Sequence, residues 1–463
     1  MDLTYAPPRY AAKATPGTRY LAALGVCLLG YALLGRTFAY VGVPPVFIGE
    51  VMLAVGLGVA AGSRRVGEVL ATWPMRFWLV LLAWTVVRTV PYLGRDGVDA
   101  PRDAMLVGYG LYAVILGSLL LAEPERLRDL VRRYRKAVVV ILALTWAVYL
   151  VSKTLEGRLP TYPWNSGVAI PEAKGGDMMV HMTAVTAFLM LGLTRSTPAL
   201  VLMAAFSSGI IMISNRGGMV AFALGLGLAW LMRPQGTGAG RIVYAFAFLV
   251  LAGAIVGPML ELSVQGGTRE VTVEQAVENV KSIFGSSRDA LDGTKRWRLL
   301  WWAEIVDYTV LGPHFWDGKG FGVNLAESDG FVVDDGGLRS PHNGHLTVLA
   351  RAGVPGALLW LLVHGAWFGG IVRAWSRARR GRQRRWVAVF AWLAGVWVAC
   401  MVNASFDVFL EGPMGGVWLW SVMGIGLAAA RLQATHPGLF NPLDLPLPPD
   451  DTARTDAPAY GWR

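Results

Sequence analysis

Apolar blocks of bilayer-crossing size recur along the whole chain, and they limit its architecture more than any other feature. Examples run from Phe77 to Val87, Val138 to Val151, Met219 to Met232 and Tyr244 to Val256. A helix needs about 20 mostly apolar residues to traverse the hydrocarbon core, and with their flanks these blocks reach that length. The composition agrees. Of the 463 residues 54% are hydrophobic and 16% charged, where a soluble protein carries roughly a quarter charged residues. The sequence therefore predicts an all-α polytopic membrane protein.

About twelve transmembrane helices are expected, at residues 20–38, 44–60, 75–92, 103–122, 137–151, 177–193, 198–213, 217–232, 242–260, 346–372, 386–403 and 414–431. The chain then divides into spans one to nine within 1–260, a large loop with short helices at 261–345, spans ten to twelve within 346–431, and a Pro-rich, disordered tail at 432–463. Connector charge sets the orientation. Basic residues crowd before span one (Arg9, Lys13, Arg19), after span two (Arg64, Arg65), after span four (Arg126 to Lys136) and after span ten (Arg373 to Arg385). With twelve spans all of these fall on one side, which the excess of Arg and Lys marks as cytoplasmic. Both termini are then cytoplasmic too. The same clustering accounts for the net charge of +11, which is not a nucleic-acid signal. The first span runs past Gly35 without a small-residue cleavage site, so no cleaved signal peptide is expected. Cys27 and Cys400 both fall inside apolar spans, which argues against a disulfide or a metal site.

The large loop lies on the opposite, extracytoplasmic face and is too long to be a bare link. Val273, Val277, Val280 and Phe284 recur at helical spacing and predict an amphipathic helix. Arg298 to Tyr308, with Trp301 and Trp302, predicts a second helix near the membrane interface. Several charges sit at the outer ends of spans: Arg36, Glu50, Arg88, Asp177 and Arg216, with Asp407 and Glu411 in the connector before span twelve. Each alone reads as a charge snorkelling to the headgroups. Their common bias toward the outer half predicts a polar cavity open to that side.

Three groups on this face suit chemistry. Arg216 stands in Ile213-Ser-Asn-Arg-Gly-Gly218, where the glycines allow a tight turn or close ligand approach, and arginine holds phosphate bidentately. Arg296 and Arg298 offer further cations from the loop, unless they serve as Arg/Trp interfacial anchors. The segment Arg339-Ser-Pro-His-Asn-Gly-His-Leu346 places His342, Asn343 and His345 where polar loop re-enters a span. Imidazole exchanges protons near neutral pH, which suits a general base at the mouth of an Arg-lined cavity. A metal site there would need more ligands, and no His or Cys set accompanies the two histidines on this face.

Taken in order, these motifs resemble the O-antigen ligase / O-antigen polymerase family of integral membrane glycosyltransferases. The resemblance rests on Ser214-Asn-Arg-Gly-Gly218, with Asn215 where the family often has serine, and on Arg298-Leu-Leu-Trp-Trp302 followed by Gly318-Lys-Gly-Phe-Gly322. It ends on Pro341-His-Asn-Gly-His-Leu346 with Gly353-Val-Pro-Gly356. The resemblance implies a membrane glycosyltransferase C-like fold in the bacterial cytoplasmic (inner) membrane, with the active site on the extracytoplasmic side. It implies transfer of a glycan from a polyprenyl diphosphate carrier to an acceptor hydroxyl on a glycan or lipid-glycan, among membrane lipids and without metal or cofactor. His342 would be the catalytic base, and Arg216 and Arg298, with Arg296 as the neighbouring candidate, would bind the diphosphate. Asn343, His345, Arg88, Glu50 and Asp177 would support the site. The tryptophans after Arg298 favour it over Arg296 as the family arginine.

Two other readings share some of these features. A flippase or transporter of lipid-linked glycans would also use many spans and phosphate-binding arginines, but it needs a polar path through both leaflets. A peptidoglycan-type polymerase shares the carrier chemistry and would place an essential carboxylate in the loop, with Asp307, Asp334 and Asp335 as candidates.

Overall fold

The computed structural model describes residues 15–212, 215–236, 264–266, 269–271, 289–332 and 338–440. Thirteen helices build the part that carries the site: α1 (Pro16–Leu34), α2 (Ile48–Ala61), α3 (Trp73–Thr89), α4 (Asp99–Gly108), α5 (Leu111–Ala122), α6 (Glu125–Thr154), α7 (Gly175–Met190), α8 (Pro198–Met212), α9 (Arg216–Leu231), α10 (Asp289–Thr309), α11 (Gly344–Arg380), α12 (Arg384–Ala404) and α13 (Pro413–Thr435). Among the described residues seven helical stretches are long and apolar enough to cross a membrane, and α2, α8 and α9 are shorter apolar helices. The protein is a mostly helical, multi-pass membrane protein. The expected ninth span at 242–260 and the expected amphipathic helix at 273–284 lie outside the described residues, as do Asp334, Asp335 and all of the tail from residue 441.

Several boundaries differ from the hydropathy reading, each for a local reason. The second helix begins at Ile48 rather than at residue 44, because Pro44-Pro45 turn a two-stranded hairpin, β1 (Gly42–Val43) with β2 (Val46–Phe47). Proline has no N–H to donate and suits a turn. The fifth span is not a short one at 137–151. α6 runs from Glu125 to Thr154, so the basic run Arg126 to Lys136 is a helical extension of the span rather than a connector. Ion pairs within a turn tie it together: Arg126 with Glu123 at 2.6 Å, Arg128 with Glu125 at 2.9 Å and Arg132 with Asp129 at 3.4 Å. At the far end α13 continues to Thr435, and Leu439 and Phe440 are buried, past the residue 432 at which a disordered tail was expected. A second hairpin, β3 (Thr161–Tyr162) with β4 (Asn165–Ala169), folds the 155–174 connector back onto the end of α1, where Arg36 pairs with Glu172 at 3.2 Å.

Close approach of small residues packs the bundle, the usual solution where lipid supplies no hydrophobic drive between helices. Gly225 of α9 and Gly395 of α12 meet backbone to backbone, and a Cβ on Gly395 would lie 2.7 Å from the Gly225 carbonyl oxygen. Trp78, Trp367, Trp386 and Trp420 are fully buried. Their indole N–H groups donate to carbonyls, as from Trp367 to Met423 at 2.8 Å.

α11 is kinked. Gly353 has φ +68° and ψ −174°, a region open essentially to glycine alone. Into the kink sits the glycine-rich loop 318–322: Lys319 N–H donates to the Ala350 carbonyl at 2.7 Å and Gly320 N–H to that of Arg351 at 3.0 Å. Arg88, at the end of α3, clasps the same loop through the Asp317 carbonyl at 2.8 Å and its carboxylate at 3.4 Å. The two glycine motifs are thus one interlocking joint. Any Cβ at Gly353 would meet the Phe315 carbonyl oxygen at 2.6 Å. Gly353→Ala is expected to destabilise the protein by about 2–4 kcal/mol through strained backbone plus overlap, read as an earlier thermal unfolding transition in detergent.

The helix ends fall into two groups. At one end lie the contacts Arg36 with Glu172, Arg88 with Asp317, Arg339 with Asp99, Lys174 with Asp407 and His342 with Asp407. At the other lie the basic connectors, where Arg135 donates to the Leu193 carbonyl at 2.8 Å and Arg385 to that of Phe440 at 3.0 Å. The charge asymmetry read from the sequence is therefore a separation in space.

Candidate active site

The connector between α12 and α13, residues 405–412, is the hub that His342, Arg298 and the start of α9 reach. Its Phe406-Asp407 pair is touched from three directions. His342 Nδ1 lies 3.5 Å from Asp407 Oδ1. Arg298 Nη1 donates to the Phe406 carbonyl oxygen at 3.0 Å. Gly217, next to Arg216, packs so tightly on Phe406 that a Cβ would stand 2.9 Å from that residue's Cβ. His342, Arg298 and Arg216 are each within one residue of a contact with this dipeptide.

Local structure fixes each arm. Asn343 is the N-cap of α11, its side-chain oxygen accepting from His345 N at 3.1 Å and Leu346 N at 3.2 Å. That cap holds His342 just ahead of the helix at φ +53°, a left-handed conformation costly for a residue with a Cβ and concentrated at functional sites. Trp302 Nε1 donates to the Pro341 carbonyl at 2.9 Å and pins the same turn from α10. The His342 side chain stays 27% exposed, open to a partner from outside. Asn215 caps α9 in the same manner, accepting from Gly218 N at 2.6 Å, and Arg216 leaves from the first residue of that helix.

α10 is held by a small core of its own. Trp301 and Ile305 are buried with Leu325, Ala326 and Ala350. Trp301 Nε1 donates to Asp329 at 2.6 Å, and Lys319 pairs with that carboxylate at 2.6 Å. Within the expected helix Trp301 faces protein, where the carboxylate satisfies the indole N–H. Arg298 points at the hub, whereas Arg296 is exposed.

The remaining predicted residues separate by place. Asp177 is buried at the start of α7 and accepts from Asn403 Nδ2 at 3.2 Å, directly behind the hub. His345 is engaged through both ring nitrogens, donating from Nε2 to the Met401 carbonyl at 3.0 Å and accepting at Nδ1 from Trp360 at 3.1 Å. It ties α11 to α12 and has no nitrogen left for proton exchange. Glu50 accepts from Phe47 N at 3.1 Å and closes the first turn of α2, and Arg88 serves the glycine joint. Neither of these contacts involves the hub.

Asp407 and Glu411 belong to the outer charges read from the sequence, but two groups of pairings around them were not anticipated. Asp407 and Lys174 face one another at 3.6 Å, so Asp407 meets a cation on each side whenever His342 is protonated. Burial alone would raise the Asp407 carboxyl. The His342 contact and the Lys174 charge outweigh it and hold the group below the usual carboxylate range. The same carboxylate keeps the Lys174 ammonium above its ordinary value against the opposing pull of burial. The second group roots the histidine segment. Arg339 pairs with Asp99 at 2.8 Å and Asp103 at 3.2 Å, and the buried Arg351 pairs with Asp103 at 3.0 Å. Glu411 accepts from Thr347 at 2.9 Å, and burial raises its carboxyl despite Arg351 nearby. Asp99 and Asp103, four apart at the head of an apolar helix, were the signal available for this network.

A depressed carboxylate stabilises the fold fully above its unfolded value near 3.9 and loses that contribution as pH falls through the folded value. Asp407→Asn is therefore expected to flatten the acid limb of the unfolding profile below about pH 4. Thermal unfolding of both proteins across acid pH would check this, an unchanged acid limb counting against it. Among the described residues no three or more His, Cys, Asp or Glu side chains gather so as to hold a metal ion.

Residues 198–361 match the family described as O-antigen ligase. The chain carries an O-antigen ligase domain. The matched stretch contains Arg216, Arg298, His342 and the Gly353-Val-Pro-Gly356 element, so the resemblance read from those motifs holds. With the O-antigen ligase family comes glycosyl transfer as the general class of activity. Asp407 and Lys174, which complete the hub, lie outside the matched residues of the O-antigen ligase domain. No curated protein matches the chain.

Proposed function

We propose that this protein transfers a glycan from a polyprenyl diphosphate carrier to an acceptor hydroxyl on the outer face of the cytoplasmic membrane, in the manner of an O-antigen ligase or polymerase. The observation that carries the proposal is the meeting of His342 and Arg298 at Phe406-Asp407, with Gly217, the residue after Arg216, packed on Phe406, at the end of the bundle away from the basic connectors. By the excess of positive charge those connectors are cytoplasmic, which puts the hub outside.

The chemistry follows from the groups. Asp407 engages Nδ1 of His342, which leaves Nε2 for the acceptor proton and stabilises the imidazolium that forms. The acceptor oxygen then bonds to the anomeric carbon as the bond from that carbon to the diphosphate oxygen breaks. Arg216 and Arg298 take up the charge that develops on the leaving diphosphate. Guanidiniums stay charged at any working pH, so no metal ion is required for that role. Asp407 acts as a positioning residue in this scheme.

The test supplies purified protein with a carrier-diphosphate glycan, with and without acceptor, in the presence of EDTA. Acceptor-dependent product together with an equal amount of free carrier diphosphate is expected. Intact donor carried across a bilayer with no new glycosidic bond would replace the proposal by a flippase. Product that appears only with an added divalent ion would remove the metal-free step.

A further inference from the structure

At the end of the bundle opposite His342 a groove of about 300 Å³ opens between α1, α6, α12 and α13. Its walls are almost wholly apolar, with Leu24 of α1, Ala137 and Ile141 of α6 and Val422 of α13 among them. Along α6 the lining runs from Leu127 to Ile141, about 20 Å at 1.5 Å per residue. That is somewhat more than the ~15 Å half-thickness of a hydrocarbon core. The groove has the length of one lipid chain standing along the helices.

Three features make it more than an apolar crevice. Arg133 and Lys136 are among its lining residues and both are exposed, so the open side of the groove carries two cations while its walls are apolar. The hydroxyls of Tyr134 and Ser421 line the groove, are buried, and have no hydrogen-bond partner among the described residues. A buried hydroxyl without a partner costs free energy that a bound acceptor would recover. The other polar groups on the walls are satisfied within the protein, Trp392 donating to the Ala184 carbonyl at 2.8 Å and Trp418 to that of Leu28 at 2.9 Å. The two hydroxyls therefore stand out as donors waiting for a ligand.

We propose that this groove binds an anionic diacyl phospholipid from the leaflet on the basic side. One acyl chain fills the space between α1 and α6. The phosphate meets Arg133 and Lys136, and an ester carbonyl accepts from Tyr134, which directly follows Arg133. A polyprenyl phosphate would match the cations and the apolar walls but brings no ester for the hydroxyls. It is therefore the competitor in the test. The site lies away from the transferase hub, and its occupancy does not depend on the reaction proposed there.

The experiment equilibrates the purified full-length protein with equimolar phosphatidylglycerol, phosphatidylethanolamine and undecaprenyl phosphate in mixed micelles. Retained lipid is then counted by native mass spectrometry. Preferential retention of phosphatidylglycerol is expected, reduced about tenfold in the Arg133→Gln/Lys136→Gln double variant, since each cation near an anionic headgroup favours it appreciably. Ala137→Trp, which fills the groove, is expected to abolish retention without touching the two cations. Should that variant fail to fold, the exposed double substitution decides alone. Equal retention of the two phospholipids, a preference unaltered by the double variant, or preferential retention of undecaprenyl phosphate would each overturn the proposal.

Discussion

His342→Ala is expected to slow glycosyl transfer by about 100- to 10,000-fold, the range that a positioned general base contributes. An acceptor hydroxyl titrates far above neutral pH, so attack without a base leaves the proton in place as the new bond forms. His342 suits the task geometrically. It stands ahead of α11 in a left-handed backbone conformation, capped by Asn343 and pinned through Pro341 by Trp302. A rate comparison of purified wild type and variant at saturating donor reads the effect. His345→Ala is the informative contrast, because its ring bridges Met401 and Trp360 and its loss disturbs packing rather than proton transfer. Transfer by His342→Ala at the wild-type rate would remove it as the base. Asp407→Asn is expected to slow transfer by a smaller factor, about 10- to 100-fold, as befits a group that orients the imidazole.

The second large effect concerns the leaving group. Arg298→Ala and Arg216→Ala should each lower the turnover rate by about 100- to 1,000-fold, the loss typical of one fixed charge-stabilising donor. Arg298 is already anchored by its bond to the Phe406 carbonyl, so little reorganisation accompanies the reaction. Lysine at position 298 should restore only part of the rate, because a flexible point charge does not reproduce the planar fork. Arg296→Ala should leave the rate near wild type, since that side chain is exposed and its neighbour is the one bonded to the hub. Turnover and apparent donor affinity measured for the four variants separate a transition-state role from ordinary ground-state binding. Equal losses at 296 and 298 would contradict the assignment.

Much of this arrangement was legible in the chain. Apolar block length located helices at eleven of the twelve expected positions, with the remaining one outside the described residues. It did so because hydropathy reports the solvent a segment must match. Boundaries were less legible. Arg126 to Lys136 reads as a polar connector, yet helical ion pairs extend α6 through it. The cationic and imidazole groups proposed for the site are visible by position, since charge at the end of an apolar span is rare enough to notice. Their pairings are not. Asp407 is one of the outer charges visible in the sequence, but only folding brings it beside His342 and brings Lys174 beside it. Arg88 and Glu50 showed the converse: each is a charge at a span end, but one clamps a glycine joint and the other closes a helix turn. Sequence marks which groups are costly to bury, and only the fold tells which neighbour compensates them.

The placement of the reaction is tested most directly by a structure of the protein with a carrier-diphosphate donor bound. The diphosphate oxygens should lie within hydrogen-bonding reach of Arg216 and Arg298, with the anomeric carbon facing His342. A diphosphate seated instead at the basic end of the bundle, against Arg133 and Lys136, would contradict it.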